Sequence, residues 1–311
     1  MPFSPSSRES GPRVGKDAMA SRARLQRTEA IVLSRRDYGE ADRILTLYTR
    51  SEGKVGAIAK GVRRIASRKA GHLELFTHAE LLMAQGRSLD VVTQAETREP
   101  FRALRDDLVR MAYACHVAEL LDRAVDEGEA SPPTFELLRD TLAGLCEASD
   151  PSLVVRAFDL RLLGLLGYRP QLFACVRCGA ELGPEGNAYA AQEGGVLCPA
   201  CRGAAPDAEA LDGATFRVLR FLQTRPVREA TRLTVSPATR ATLERLMHAT
   251  LRHHLERQLR SVDFLQRLRQ VAGDLDLAPS APASTADDPH PARDAGPRRE
   301  PDAGADPETL P

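Results

Sequence analysis

The first structured part of the chain, residues 27–100, consists of short apolar runs separated by polar turn residues. Residues 30–33 form a continuous apolar run, and the later segments alternate in part between apolar and polar positions, which is the period of a half-buried strand. The pattern predicts strands over residues 30–33, 43–49, 54–59, 72–84 and 89–95. Five strands with short connections favour a small closed barrel, because closure removes exposed sheet edges. An SH3-like barrel has a similar strand count and is the main alternative.

From residue 103 onward the apolar positions recur with a helical period. One apolar face is predicted to carry Leu104, Leu108, Met111, Cys115 and Ala118. A second helix follows the start signal Pro132-Pro133, and residues 154–166 form a third, leucine-rich helix that should lie centrally. Ser236 before Pro237 is the predicted N-cap of a last helix that runs to about residue 270.

These changes of period and composition divide the chain into domains, and they predict an α+β multidomain fold. A barrel domain is expected at residues 27–100. A helical domain at residues 101–172 and 205–272 is interrupted by a cysteine-containing module at residues 173–204. Residues 1–26 and 273–311 have no apolar period and are rich in small and polar residues, so both tails are predicted to be disordered.

The formal net charge is zero, but the charges are unevenly distributed. Residues 1–100 carry 18 basic against 12 acidic residues, whereas residues 271–311 carry 3 against 9. A basic N-terminal domain and an acidic tail indicate an anionic partner, with nucleic acid the first candidate. No stretch reaches the roughly 18 apolar residues of a membrane helix, and no secretory signal is visible. Six cysteines in a chain of this length fit reduced thiols, so we expect a cytoplasmic protein without membrane contact.

Four of the cysteines have the spacing of a metal site. Cys175 and Cys178 form one Cys-x2-Cys pair, and Cys198 and Cys201 form a second after nineteen residues. Two tight turns of this kind supply the four thiolates of a tetrahedral site, which predicts one structural Zn²⁺ ion. Four reduced buried cysteines without metal are the alternative. Redox chemistry is disfavoured because neither pair has a strand–turn–helix context, and four thiolates leave no open position for a catalytic zinc.

The glycines and the other cysteines near this pattern are also informative. Gly179 and Gly203 follow the two pairs, where such turns often need a positive φ. Cys115 and Cys146 lie on apolar helix faces and are predicted to be ordinary core residues.

A basic segment between residues 54 and 69 contains no acidic residue. Its cations are Lys54, Lys60, Arg63, Arg64, Arg68 and Lys69. The part from residue 60 follows a predicted strand, so its side chains should project from a loop at the edge of the barrel. Such cations suit phosphate binding, although a solvated charged loop is the alternative. Few residues are available to stack on bases, because Tyr38, Tyr48 and Phe76 fit the core equally well. His72 is predicted to be a loop residue without a partner.

The sequence contains none of the common motifs for phosphate-cradling loops, nucleophile elbows, zinc proteases or dinucleotide binding. His248, His253 and His254 lack a metal-ligand spacing. An enzyme with an unrecognised site is therefore the least favoured hypothesis.

Several segments together resemble one known family. They include residues 29–50 (EAIVLSRRDYGEADRILTLYTR), 53–55 (GKV), 59–64 (AKGVRR), 86–89 (GRSL), 164–170 (GLLGYRP) and 259–261 (LRS). The sequence is similar here to the DNA repair protein RecO family, over about residues 27–268. The segments before residue 27 and after residue 278 depart from the family pattern, and Met19 is the start that we expect from that pattern.

The resemblance implies an N-terminal five-stranded OB barrel, a helical domain and a four-cysteine zinc module. It also implies a non-enzymatic role in the RecF pathway of recombinational repair, at the nucleoid. A family member would bind single- and double-stranded DNA, anneal strands and, with RecR, help load RecA onto strands coated by the single-stranded DNA-binding protein, whose C-terminal tail it would bind. The matching positions imply DNA contacts at Arg36, Lys60, Arg63, Arg64 and Arg68. A general nucleic-acid-binding accessory factor with a structural zinc module is the alternative.

Overall fold

A computed structural model describes residues 25–255, and its N-terminal part is a closed barrel in the strand order β1-β2-β3-β5-β4. The strands are β1 (Leu25–Tyr38), β2 (Asp42–Thr49), β3 (Gly53–Ala59), β4 (His78–Ala84) and β5 (Asp90–Glu99). Four neighbouring pairs are antiparallel, and β3 pairs with β5 in parallel. This five-stranded, OB-like barrel confirms the predicted fold class.

The strand predicted over residues 72–84 is shorter in the structure. Ala70–Leu73 form a 3₁₀ helix, and β4 begins only at His78. The imidazole Nδ1 of His72 accepts a hydrogen bond from the Thr97 amide at 3.1 Å and lies 2.8 Å from the Thr97 hydroxyl. The prediction that His72 lacks a partner is therefore wrong, because this ring ties the 3₁₀ turn to β5.

Both faces of β1 are buried, and they belong to two different cores. Ala30 and Val32 point into the barrel interior, whereas Ile31 and Leu33 pack outward against the helices. This division follows from the period of two in a strand, and it explains why residues 30–33 are uninterruptedly apolar. The outer face of β1 therefore contributes to the hydrophobic core of the helical domain, while its inner face belongs to the separate core of the barrel.

The junction between barrel and helices is also polar and sterically tight. Gly53 has a φ of +68°, and a Cβ atom there would lie 1.9 Å from the Glu129 carbonyl oxygen. The ammonium group of Lys54 lies 3.4 Å from the Asp122 carboxylate and donates to the Asp122 carbonyl. Lys54 therefore connects the barrel to the helical domain, and its side chain does not project from the barrel edge.

Up to residue 255, where the description ends, seven α-helices follow, in two groups separated by the cysteine module. They are α1 (Ala103–Asp106), α2 (Leu108–Ala124), α3 (Pro132–Glu147), α4 (Pro151–Leu165), α5 (Gly213–Thr224), α6 (Val227–Ala230) and α7 (Pro237–Leu255). Nearly all of α4 is buried, which confirms its central position. The Ser236 hydroxyl accepts from the Thr239 amide at 3.1 Å, which confirms the N-cap of α7. The predicted continuation of α7 to residue 270 and both predicted tails, apart from residues 25 and 26 in β1, lie outside the described residues.

The apolar face predicted for the first helix is wrong in detail. Leu108 is 60% exposed, and Met111 and Cys115 are only half-buried, while Val117 and Leu121 are buried. The physical reason is Asp107, whose side chain accepts from the amides of the next turn and starts a new helix. Leu104 therefore lies on a separate short helix, out of register with the residues that follow.

The helical core also encloses charge. The Asp159 carboxylate is completely buried, with the Arg156 guanidinium at 3.2 Å and the His116 imidazole at 3.6 Å. Arg110 is buried as well and donates to the Leu145 and Ala148 carbonyls at the end of α3, where carbonyl groups lack partners within the helix. Over residues 25–255, none of the helices is long and apolar enough to cross a membrane.

Candidate metal centre and nucleic-acid interface

The cysteine module lies between α4 and α5 and has little regular structure. A small sheet joins β6 (Ala188–Ala190), β7 (Gly195–Leu197) and β8 (Glu209–Ala210). The Val176 amide donates to the Val196 carbonyl at 3.0 Å, so the turn that carries the first cysteine pair lies against β7. Every residue of β6 and β7 is buried, and Tyr189 and Val196 belong to the core of the helical domain, so the small sheet packs against the helices.

The four cysteines meet at one point. The Sγ atoms of Cys175, Cys178, Cys198 and Cys201 all lie within 4.8 Å of one another, and those of Cys178 and Cys198 are 3.7 Å apart. Bonds of about 2.3 Å in a tetrahedron place thiolates about 3.8 Å apart, so these distances fit one metal ion with sulfur ligands. The clustering predicted from the spacing is confirmed.

The backbone around the cluster favours a thiolate at Cys175. Burial opposes ionisation of Cys175, but hydrogen bonds from the amides of Cys178, Cys198 and Arg177 outweigh it and lower the pKa of the Cys175 thiol to about 6. Hydrogen bonds to the neighbouring sulfurs raise the pKa of the Cys201 thiol to about 12. A cation at the centre is what would allow all four groups to ionise together.

One glycine of the two turns behaves as predicted and one does not. Gly179 has a φ of +72°, and its amide donates to the Cys175 carbonyl at 2.9 Å. Gly203 does not have a positive φ, since Arg202–Ala204 continue the second turn as a 3₁₀ helix. The prediction for Gly203 is wrong because the second pair closes with two amides on the Cys198 carbonyl, which needs no left-handed residue.

The remaining two cysteines lie away from this centre. Cys115 and Cys146 are half-buried and pack against the helical core, in agreement with their predicted role. Burial raises the pKa of both thiols, that of Cys146 to about 11.

The second candidate site is the connection of residues 60–69 between β3 and the 3₁₀ helix, here called the rim loop. It is held at several points although it has no regular structure. The Asp42 carboxylate accepts from the Gly61 amide at 2.7 Å, and the Arg63 amide donates to the Ala41 carbonyl at 2.9 Å. Val62 is inserted into the barrel core with 1% of its surface exposed. The loop therefore has a defined position beside the turn between β1 and β2.

Two further cations of the basic segment fix the loop. The Arg63 guanidinium lies 3.3 Å from the Asp37 carboxylate and donates to the Gly39 carbonyl at 3.2 Å. The Lys69 ammonium donates to the Val92 carbonyl at 2.8 Å, and burial lowers its pKa. Sequence reasoning missed the roles of Asp37 and Asp42, because their partners are more than 15 residues away along the chain.

The remaining cations of the candidate site project into solvent. Arg36, Lys60, Arg64 and Arg68 are exposed and form no ion pair with any other described residue. Of the three candidate stacking residues, Tyr48 and Phe76 are buried in the core of the helical domain, while Tyr38 is 53% exposed. We call the rim loop together with the adjacent end of β1 and the β1–β2 turn the rim. The rim presents exposed cations and one accessible aromatic ring, and such a surface can bind a phosphate backbone.

Comparison with known proteins agrees with this architecture. Residues 23–101 match the model for the recombination protein O N terminal domain, and residues 105–263 match that for its C terminal domain. The chain belongs to the RecO family. The DNA repair protein RecO of Roseiflexus sp. (strain RS-1) is 45% identical over 263 residues, which are 85% of this chain and 91% of the relative. That of Symbiobacterium thermophilum is 39% identical over 250 residues, 79% of this chain and 99% of the relative.

Family membership confirms the resemblance seen in the sequence, and the two matched domains are the barrel and the helical domain with its module. The DNA contacts assigned to Arg36, Lys60, Arg63, Arg64 and Arg68 stay predictions. The structure places Arg63 beside the turn that follows β1, through its bonds to the Gly39 and Ala41 carbonyls. Among the five residues, Arg63 is the one with an internal carboxylate partner.

Proposed function

We propose that this protein is a non-enzymatic DNA-binding mediator of recombinational DNA repair. In this role it anneals single strands in the RecF pathway and, together with RecR, helps load RecA onto strands coated by the single-stranded DNA-binding protein. The observation that carries the proposal is the rim: an OB-like barrel in a RecO family chain presents four exposed cations that have no carboxylate partner among the described residues. Its expected location is the cytoplasm, in association with the nucleoid.

The charge of the rim suggests how annealing would proceed. Two complementary strands repel each other through their phosphates, and cations bound to one strand reduce that repulsion. The affinity of such contacts comes mainly from released counterions, so binding would depend little on sequence and strongly on salt. Single strands and duplexes would both bind, because both present phosphates.

We further propose that Cys175, Cys178, Cys198 and Cys201 hold one structural Zn²⁺ ion. The support is the fit of the sulfur spacing and the preference of four thiolates for this metal. The bound ion would supply cross-linking of the two turns, and with no open coordination position it would supply no catalysis. This cross-link would add to the stability that the module gains by packing against the core of the helical domain.

Strand annealing tests the mediator role. Complementary oligonucleotides are mixed with and without the protein, first bare and then coated with the single-stranded DNA-binding protein. We expect faster annealing of bare strands, and annealing of coated strands once RecR is added. A general nucleic-acid-binding accessory factor would bind the strands without accelerating their pairing and would form no complex with RecR.

Metal analysis tests the zinc site. The purified protein should contain one zinc per chain, and a double variant Cys175→Ser/Cys178→Ser should contain none. The matched control is Cys115→Ser/Cys146→Ser, which removes two cysteines outside the cluster and should retain the metal. Zinc-free wild-type protein that folds with four reactive thiols would contradict the assignment.

A further inference from the structure

One apolar side chain on the rim has no structural role in the described part of the chain. Ile65 is 108% exposed relative to an extended reference, more than any other large apolar side chain of residues 25–255. It lies in the middle of the rim loop, between Arg64 and Arg68. Complete exposure of an isoleucine brings no gain in folding free energy, because the side chain buries no apolar surface.

The position of Ile65 is well defined. Val62, three residues earlier, is buried in the barrel core, and Arg63 is bonded to Asp37 and Gly39. After it, the Ser67 amide donates to the Arg64 carbonyl at 2.9 Å, which closes the turn that presents the isoleucine. A β-branched side chain is also stiff about χ1, so little rotamer freedom remains to be lost on binding. The loop therefore presents a pre-organised apolar tip.

The surroundings of the tip select its partner. Arg64 and Arg68 flank it, are exposed, and form no ion pair within the described residues. Cations on both sides of an apolar tip match a nucleic-acid strand, where phosphates alternate with the apolar faces of bases. Apolar wedges between cationic contacts are known to enter between neighbouring bases and to unstack them. An apolar or anionic protein surface would match only one of these two features.

Building on the proposed DNA-binding function, we infer that Ile65 inserts between bases and gives the rim its preference for unpaired strands over duplex DNA. Insertion costs a few kcal/mol where bases are paired and stacked, and least where they are already unpaired. Arg64 and Arg68 hold the phosphates on either side and serve both forms of DNA. The cations thus determine how strongly the rim binds, and Ile65 determines which form of DNA it binds.

The test compares Ile65→Ala with wild type on two probes, a single strand and a blunt duplex of about 20 nucleotides, longer than the site of one OB barrel. We expect the variant to bind the single strand about fivefold or more weakly and the duplex within about twofold. The dependence on salt should not change, since no charge is lost. 2-Aminopurine in the single strand should brighten with wild type and less with the variant. Ile65→Leu, which keeps an apolar tip, should retain the preference.

Leu108→Ala is the matched control, because Leu108 is another exposed apolar residue, 60% exposed at the start of α2. It should leave both affinities unchanged. Folding of Ile65→Ala is not at risk, since the side chain buries nothing. If wild type binds DNA and Ile65→Ala keeps the same ratio of single-strand to duplex affinity, the inference is overturned and the proposed function stands. If wild type binds neither probe, the proposed function fails as well.

Discussion

Neutralising the unpaired cations of the rim is the perturbation that most clearly separates specific DNA contact from general charge. Lys60→Ala, Arg64→Ala and Arg68→Ala are combined, because none of these side chains has a described ion-pair partner whose charge would be exposed by the change. Arg63 is left in place, since its removal would also free Asp37 and release the loop from the β1–β2 turn.

The expected magnitude follows from counterion release. Each single-strand phosphate contact contributes about 0.7 to the slope of log affinity against log salt, so three contacts contribute about 2. Between 50 and 200 mM salt, wild type should therefore lose about 20-fold more affinity than the triple variant. The assay is fluorescence anisotropy of a labelled single strand at four or more salt concentrations.

The control variant removes the same charge elsewhere. Arg217, Arg228 and Arg232 are exposed on the α5–α6 side of the helical domain and have no ion pair within the described chain. Their combined replacement by alanine should leave the slope within about 0.5 of wild type. Equal slopes for wild type and the rim variant, or an equal loss in the control, would refute the placement of DNA on the rim.

Three further predictions concern stability and the metal. Asp159→Ala should lower the free energy of unfolding by about 3–5 kcal/mol in urea titrations, because it leaves buried Arg156 without its carboxylate; a loss below about 1 kcal/mol would mean that this pair contributes little. Gly53→Ala should lower the melting temperature, because the added Cβ would collide with the Glu129 carbonyl oxygen. An unchanged melting temperature would contradict this close approach. Acid should release the metal, because protons compete with it for the four thiolates: zinc retained on dialysis at neutral pH should be lost as the pH is lowered, and full retention down to about pH 3 would contradict the thiolate site.

Local patterns predicted the elements whose causes are local. The turn residues around 51–53 and 85–88 separate the strands as predicted, and α7 begins at the predicted Ser236-Pro237 signal. The clustering of the four cysteines is confirmed as well. Each of these features depends on neighbours within a few residues or on short paired motifs. The face of α2 was mispredicted although its cause is also local: Asp107 interrupts the period, and a continuous apolar pattern hides the break.

The use of each cation could not be predicted from the sequence. Lys54, Arg63 and Lys69 look the same as Lys60 and Arg64 in a basic run, yet the fold assigns the first three to anchoring. Their partners Asp122, Asp37 and Val92 are between 23 and 68 residues distant and are brought near only by barrel closure and domain packing. Ile65 carried a visible signal, an isolated apolar residue within a basic loop, but its exposure required the structure.

Hydrogen exchange with bound DNA tests most directly the claim that the rim is the DNA-binding surface. Backbone amide exchange is measured on the full chain, alone and saturated with single-stranded oligonucleotide. The account predicts slower exchange in residues 60–69 and in the β1–β2 turn around Gly39, with little change in α5 and α6. Slower exchange confined to the helical domain or to the cysteine module, with the rim unchanged, would contradict it.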